Sequence, residues 1–283
     1  MKGIIISAGY GTRFLPCAKS IPKEMFPLID TPAIDFIVNE FIDSGIKDIL
    51  IVTSRRKKAL EDYFDREIEL ETFFKKRNDT DKLNLIKPRD LNIFFIRQKE
   101  MLGTGHAILI GKEFVKNEPF IVAYPDDIVL SKTPLASQIM EIHKKTNANV
   151  IASEITQRDL SRYGVIDFIK DDELLKVKKI VEKPKKGKES SSMICIGRYL
   201  FTPDFLTVLE ENYKKHSEGE FYHIDAMNIL AGQGKMFACL FQGNRLDIGD
   251  KIGYLEGMIK YSLSRSDLKK ETESLLRKYS KNQ

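Results

Sequence analysis

The chain has 283 residues, 42% of them apolar and 31% charged, with a formal net charge of +5. That length buries roughly three quarters of the unfolded surface, in one large or two small domains of an ordinary globular protein. The charge is too mild and too evenly spread for a nucleic-acid stripe, no apolar run approaches the ~20 residues that span a bilayer, and Cys17, Cys195 and Cys239 lack metal spacing.

The chain enters a strand at once, Ile4 to Ile6, an apolar run that predicts burial on both faces and leaves no room for a secretory leader. Reduced, widely separated thiols fit a cytoplasmic protein. Ala8-Gly9-Tyr10-Gly11-Thr12-Arg13 follows. Its glycines permit a sharp turn and close approach of backbone N–H groups to a ligand. Arg13 and Lys23 add positive charge beyond the turn. A glycine loop with two cations after a first buried strand suits a nucleoside triphosphate. The dinucleotide fingerprint fails, because Phe14 stands where its third glycine belongs, and no P-loop Gly-Lys-Ser/Thr is present.

Thr31-Pro32 predicts a helix start, Ile34, Ile37, Val38, Phe41 and Ile42 recur at helical spacing, and Gly45 marks the stop. Lys47 to Thr53 is a second buried strand. This order predicts a right-handed crossover with parallel strands and a ligand at their carboxyl ends, where the Gly9–Arg13 loop lies. Residues 57–90 are highly charged and helical, placed on the rim with Phe64, Ile68, Phe73 and Phe74 as anchors. Asn92 to Gln98 is a strand, Gly103 to Ala107 opens a helix, and Pro119 to Tyr124 is a strand ending at Pro125-Asp126-Asp127. A helix over Leu135–Lys145 and a strand over Asn149–Ile155 complete the alternating pattern.

From Tyr163 shorter strands are predicted, with a turn at Asp171-Asp172 and a polar, mobile loop from Lys185 to Ser192. Met193–Phe201 and Met236–Phe241 read as strands, and Pro203–Tyr213 and His223–Leu230 as helices. The tail from Asp250 to Gln283 is helical, with an apolar stripe at Ile252, Leu255, Ile259 and Leu263 that either caps the fold or, the preferred reading, meets another subunit. The fold class is α/β: a Rossmann-like, mixed but mainly parallel sheet flanked by helices.

Gly9-Tyr10-Gly11-Thr12-Arg13-Phe14-Leu15-Pro16, Pro22-Lys23-Glu24-Met25, Glu182-Lys183-Pro184 and Asp247-Ile248-Gly249 occur in the order seen in sugar nucleotidyltransferases, which the chain resembles from Met1 to about Leu263. The 57–90 segment and Lys23 to Leu28 resemble the bacterial UTP–glucose-1-phosphate uridylyltransferase branch. The resemblance implies a nucleotide-binding half over 1–156 with the insertion 57–90, a sugar-phosphate half over 157–249 on the same sheet, and a helical tail over 250–283. It implies that UTP and glucose 1-phosphate give UDP-glucose and pyrophosphate. The attacking phosphate has a second pKa of about 6, so no general base is required. The obstacle is repulsion between polyanions, about 4 kcal/mol per pair of unit charges at ~4 Å and an effective dielectric of ~20. Cations, a metal and alignment answer it.

In the resembled family Asp126 and Asp247 hold Mg²⁺, Arg13 and Lys23 grip the triphosphate, and Lys183 holds the sugar phosphate. Glu182 accepts from sugar hydroxyls, with Gly164 and Gly197 offering close backbone approach. Adjacent residues of an extended strand point to opposite sides, so Glu182 and Lys183 can share a ligand only if the strand end twists. Gln98 and Gly103 face the uracil edge, helped by backbone at Ala8, Gly9 and Gly11, and Glu24 stands near base or triphosphate. Asp127 reads as a cap or a ribose contact, and His106 as a helix-start residue. Thr104 stands where the family has leucine, and Cys17-Ala18-Lys19-Ser20 where it has Ala-Thr-Lys-Ala. These departures keep a dTTP-using thymidylyltransferase as the alternative; a non-catalytic regulatory subunit is a second. The expected partners are small molecules and further copies of the chain, not nucleic acid or membrane.

Overall fold

The computed structural model describes residues 1–280; the last three residues of the expected tail lie outside them. Nine strands form one sheet: β1 Lys2–Ile6, β2 Asp48–Thr53, β3 Asn92–Arg97, β4 Phe120–Ala123, β5 Asn149–Ile155, β6 Gly164–Asp171, β7 Leu174–Glu182, β8 Met193–Phe201 and β9 Met236–Leu240. Their spatial order is β3-β2-β1-β4-β8-β5-β9-β7-β6. β7 and β8 alone run against the others. The far edge curls until Val165 of β6 pairs with Ile194 of β8. The sugar half expected after residue 157 therefore shares its strands with the first half.

Alternation along β1 feeds two cores. Ile4 and Ile6 point into one with Val52 and Phe120; Ile5 points into the other with Ile51 and Ile121. Helix α1, Ala33–Asp43, buries Ile34, Ile37, Val38 and Phe41 on the second face. It approaches the sheet so closely that a Cβ on Gly3 would lie 2.4 Å from the Phe41 ring. Gly45, at φ +77°, turns the chain out of the helix, as its position predicted.

Arg198 of β8 is fully buried. Its Nε and Nη2 donate to Glu40 of α1 at 2.8 and 2.9 Å, and Nη1 donates to the Gly197 carbonyl at 2.8 Å. Glu40 also accepts from the Ala136 N–H at 3.0 Å, at the start of helix Leu135–Thr146. One carboxylate thus joins two helices to the sheet.

Ile252 and Leu255 of helix Lys251–Ser264 are 74% and 57% exposed, so this part of the stripe faces away from the fold, which disfavours a cap and leaves it where a subunit contact would need it. The helix packs instead through Tyr254, edge-on to Phe14 and Phe26, and Tyr261, edge-on to Phe36. Asp250 caps its first turn by accepting from Ile252 and Gly253, and the Tyr254 hydroxyl donates to the Pro27 carbonyl at 2.6 Å. Those bonds fix the rotation of the helix. In the insertion, helices Lys58–Phe64, Ile68–Lys76 and Thr80–Leu85 do lie on the rim. Phe64 packs on the core, but Ile68 and Phe73 are exposed rather than anchored.

Removing one partner of a buried ion pair leaves the other charged and desolvated, at a cost of about 3–5 kcal/mol. Arg198→Met is expected to lose that much stability in urea unfolding, and Arg198→Met with Glu40→Leu to recover part of it.

Candidate active site

The opening loop turns at Gly11, φ +67°, into a short helical turn over Thr12–Phe14. This directs Arg13 and Lys23 toward the end of β4. There Lys23 Nζ meets Asp126 Oδ2 at 2.5 Å. Burial alone would lower the Lys23 pKa, but the charges of Asp126 and Glu24 outweigh it and hold Lys23 above its ordinary value. Burial likewise pushes Asp126 up, and the Lys23 charge and hydrogen bond bring it below the usual carboxylate range. Both groups are ionised at neutral pH.

A two-stranded ribbon, Asp127–Leu130 against Asn244–Asp247, brings Asp247 across from Asp127. The Ile248 N–H donates to the Asp126 carbonyl at 2.9 Å and locks the two ends together. A Cβ built on Gly249 would lie 3.4 Å from Asp126 Oδ2, 3.4 Å from Asp247 Oδ1 and 3.6 Å from Arg13 Nη1. Two carboxylates and one guanidinium therefore converge on the space that this glycine leaves clear. Tyr163 donates to Asp247 at 2.8 Å, and burial, then that bond, keeps the phenol protonated.

A cavity of about 350 Å³ opens here, lined by Arg13, Asp126, Tyr163, Lys183, Asp247 and Gly249. A second, of about 450 Å³, is lined by Gly9, Thr12, Lys19, Lys23, Arg55, Arg56, Gln98 and Lys99 among others, with no carboxylate in its wall. Lys23 lines the second and Asp126 the first, so their ion pair joins the two.

Lys183 has φ +46°, outside the extended region. That break in alternation lets Lys183 Nζ and Glu182 Oε1 come within 3.6 Å, which an extended Glu-Lys pair would not allow. Gly164 lies beneath them: a Cβ there would be 3.1 Å from Glu182 Oε2 and 2.5 Å from Cys195 Sγ. Gly197 differs from expectation, because its N–H already donates to Asp127 Oδ2 at 2.7 Å. Asp127 itself is neither cap nor free ligand. Arg245 grips it at 2.6 and 3.1 Å and also reaches Asp247 at 3.4 Å. Burial opposes the Arg245 charge, and Asp127 more than restores it.

Glu24 is corrected most plainly. It is 2% exposed, and both its oxygens accept from Lys57 Nζ at 2.7 and 2.8 Å, beneath the cavity rather than in it. Gln98 is half committed. Its Nε2 donates to the Gly103 carbonyl and to His106 Nδ1, each at 3.0 Å, leaving the side-chain carbonyl for a ligand. Burial lowers the His106 pKa, so a neutral ring accepts that bond, which agrees with its structural reading. Gly103 has φ +93°, and a Cβ there would strike the Phe221 carbonyl at 2.5 Å.

Sequence reading missed Arg55, Arg56, Lys19 and Lys99. For Arg55 and Arg56 the signal was the run of cations directly after β2, at the strand end where ligands gather; Lys99 follows the end of β3, and Lys19 lies in the opening loop. Tyr163 and Arg245 carried no local signal, since their contacts are with distant parts of the chain.

A mainly parallel α/β sheet with two carboxylates, three flanking cations and a glycine loop at its strand ends defines a phosphate-handling transferase, and the chain belongs to the nucleotidyl transferase family, whose model matches residues 2–263. It is 40% identical over 280 residues to a Staphylococcus epidermidis UTP–glucose-1-phosphate uridylyltransferase, spanning 98% of this chain and 97% of that one. The UTP-bound enzyme from Acinetobacter baumannii superposes with a TM-score of 0.87 at 33% identity, over 97% of this chain and 98% of that one. A UDP-glucose pyrophosphorylase complexed with UDP-glucose gives 0.81 at 36% identity, over 93% and 99%.

His223 packs on Tyr124 of the first cavity's wall and is 5% exposed, with its pKa lowered by burial to about 4. The unfolded chain takes up that proton near pH 6.5 and the folded one does not. Stability from this group is therefore complete above pH 6.5 and is lost as pH falls toward about 4. Between pH 7 and 5 the protein is expected to lose about 2 kcal/mol more than His223→Leu in paired urea titrations.

Proposed function

We propose that the protein joins glucose 1-phosphate to the α-phosphorus of UTP and releases pyrophosphate. A phosphate oxygen of the sugar forms the new P–O bond while the α–β bridging bond breaks, and its electrons leave with pyrophosphate. The observation that carries this reading is the pair of adjoining cavities, one walled by cations beside Gln98 and one holding Asp126, Asp247 and Lys183. Polyanion and base fit the first; sugar phosphate and a divalent cation fit the second.

Lys23 and Arg13 offset charge that develops on the departing pyrophosphate. Lys183 holds the sugar phosphate, Glu182 accepts from ring hydroxyls, and Gly164 allows the ring to approach the backbone. The Gln98 carbonyl and the Gly103 backbone meet the uracil edge, with Ala8, Gly9 and Gly11 framing the nucleotide. Asp126 and Asp247 would hold Mg²⁺, whose preference for few carboxylates plus phosphate oxygens suits the space at Gly249. Bound there, it neutralises phosphate charge. Residues 1–156 thus serve the nucleotide, 157–249 the sugar phosphate, and 250–280 a subunit contact supported by the exposed Ile252 and Leu255. The three free cysteines suit a reducing, cytoplasmic setting, and the exposed Ile252 and Leu255 suit a homo-oligomer; no described helix is long and apolar enough to cross a membrane.

Pyrophosphate release measured for four nucleotides against several sugar phosphates should peak at UTP with glucose 1-phosphate. A peak at dTTP would replace uridylyl by thymidylyl transfer, and silence with every pair would overturn the enzyme reading. Lys183→Ala should raise KM for glucose 1-phosphate about tenfold or more, the worth of a charge-assisted hydrogen bond, with KM for UTP little changed. Gly249→Ala meets only ordinary contacts in the folded protein. It should keep the wild-type Tm while turnover falls by about two orders of magnitude or more, because the methyl fills the space between the carboxylates.

A further inference from the structure

We propose that His223 is a positioning residue for base recognition, holding the Leu102–Gly105 loop against the strand end that carries Asp126. The proposal rests on the reading of Gln98 and Gly103 as the groups that meet the base.

The loop is moulded by a segment more than a hundred residues away. The Phe221 N–H donates to the Leu102 carbonyl at 2.7 Å, and the Gly105 N–H donates to the Phe221 carbonyl at 2.9 Å. The close approach of the Phe221 carbonyl makes residue 103 a glycine by sterics as well as by φ. These backbone bonds fix the loop along one line only. The side-chain bond between Thr104 Oγ1 and His223 Nδ1, 2.9 Å long, fixes it in a second direction. The imidazole then packs against Tyr124, ring centroids 6.3 Å apart and 29° from parallel, and edge-on to Tyr199 at 5.1 Å. Tyr124 lies two residues before Asp126. His223 therefore touches both the base loop and the strand that bears the carboxylate.

The side chain is held there at a cost. Its Nε2 is buried with no partner, as is the neighbouring Tyr124 hydroxyl. A leucine of similar bulk would bury no orphaned nitrogen. What the leucine would lack is the bond to Thr104. The Gly103 carbonyl accepts from Gln98, so a shift of this loop also turns the amide of Gln98, which lines the cavity. Misplacement by about 1 Å is enough to lose a large part of an oriented interaction. The base pocket is thus completed by the half of the chain that handles the sugar phosphate.

The test compares the wild type with His223→Leu, Thr104→Val and His223→Asn, in which the Asn amide can stand in for Nδ1. KM and kcat are measured for UTP, CTP and glucose 1-phosphate, with Tm alongside. Both bond-breaking variants are expected to raise KM for UTP about tenfold and to reduce the UTP-to-CTP preference about tenfold. KM for glucose 1-phosphate should stay within about twofold, and His223→Asn should recover most of the preference. If His223→Leu does not fold, Thr104→Val removes the same bond from the other side. A lowered Tm with unchanged KM and base preference, an equal rise in KM for both substrates, or an Asn variant no better than leucine overturns the proposal. Gln98→Ala separates the two levels. An unchanged preference in Gln98→Ala overturns the base assignment itself, whereas a lost preference there with an unaffected His223→Leu overturns only the role of His223.

Discussion

The ion pair between Lys23 and Asp126 is the contact through which the site is assembled. It ties a loop from the first strand to the end of the fourth, 103 residues apart in the chain. It acts with the Arg13 Nη1 bond to the Gly249 carbonyl, 3.3 Å long, to set the distance of the glycine loop from the carboxylates opposite. Each partner keeps its charge although burial opposes it, because each supplies the field the other needs. The pair also sits where the two cavities join, so it belongs to the wall of the nucleotide space and to that of the acidic space at once.

Around that contact the charges are sorted by depth. Arg198 with Glu40, Arg245 with Asp127 and Lys57 with Glu24 are buried pairs that satisfy each other and hold elements together. Arg55, Arg56, Lys19 and Lys99 make no ion pair among the described residues and line open space. A polyanion entering the site meets the second set together with Lys23 and Lys57, which line the same cavity. The first set would cost several kcal/mol to disturb, which makes it a frame rather than a ligand. Glu24, offered by the sequence as a site residue, and Asp127, read there as a cap or a ribose contact, belong to the frame for this reason.

Much of the fold was legible because strong periodicity leaves few solutions. Asn149–Ile155 and Met193–Phe201 form strands with the expected ends, and the helix begun after Pro32 stops before Gly45. The motif positions Arg13, Lys23, Asp126, Lys183 and Asp247 come together because the strand-end rule places such residues at one edge of the sheet. Helix rotation was less legible. Spacing alone marks Ile252 and Leu255 as one stripe without saying whether it turns inward or outward; the Asp250 cap and the Tyr254 hydroxyl bond turn them outward. Amphipathic spacing identifies a face but not what the face meets.

The amino-acid order by itself determined the strands, the glycine turn, the cations beside it and the chemistry that needs no general base. Those are local properties: they depend on side-chain period, on φ freedom and on which groups carry charge at neutral pH. The three-dimensional arrangement alone decided which charges are spent on one another and which remain for a ligand. It also decided that Lys183 leaves the extended region to join Glu182, and that His223 reaches the Thr104 loop. These depend on distances between segments far apart in the chain, which no local pattern encodes.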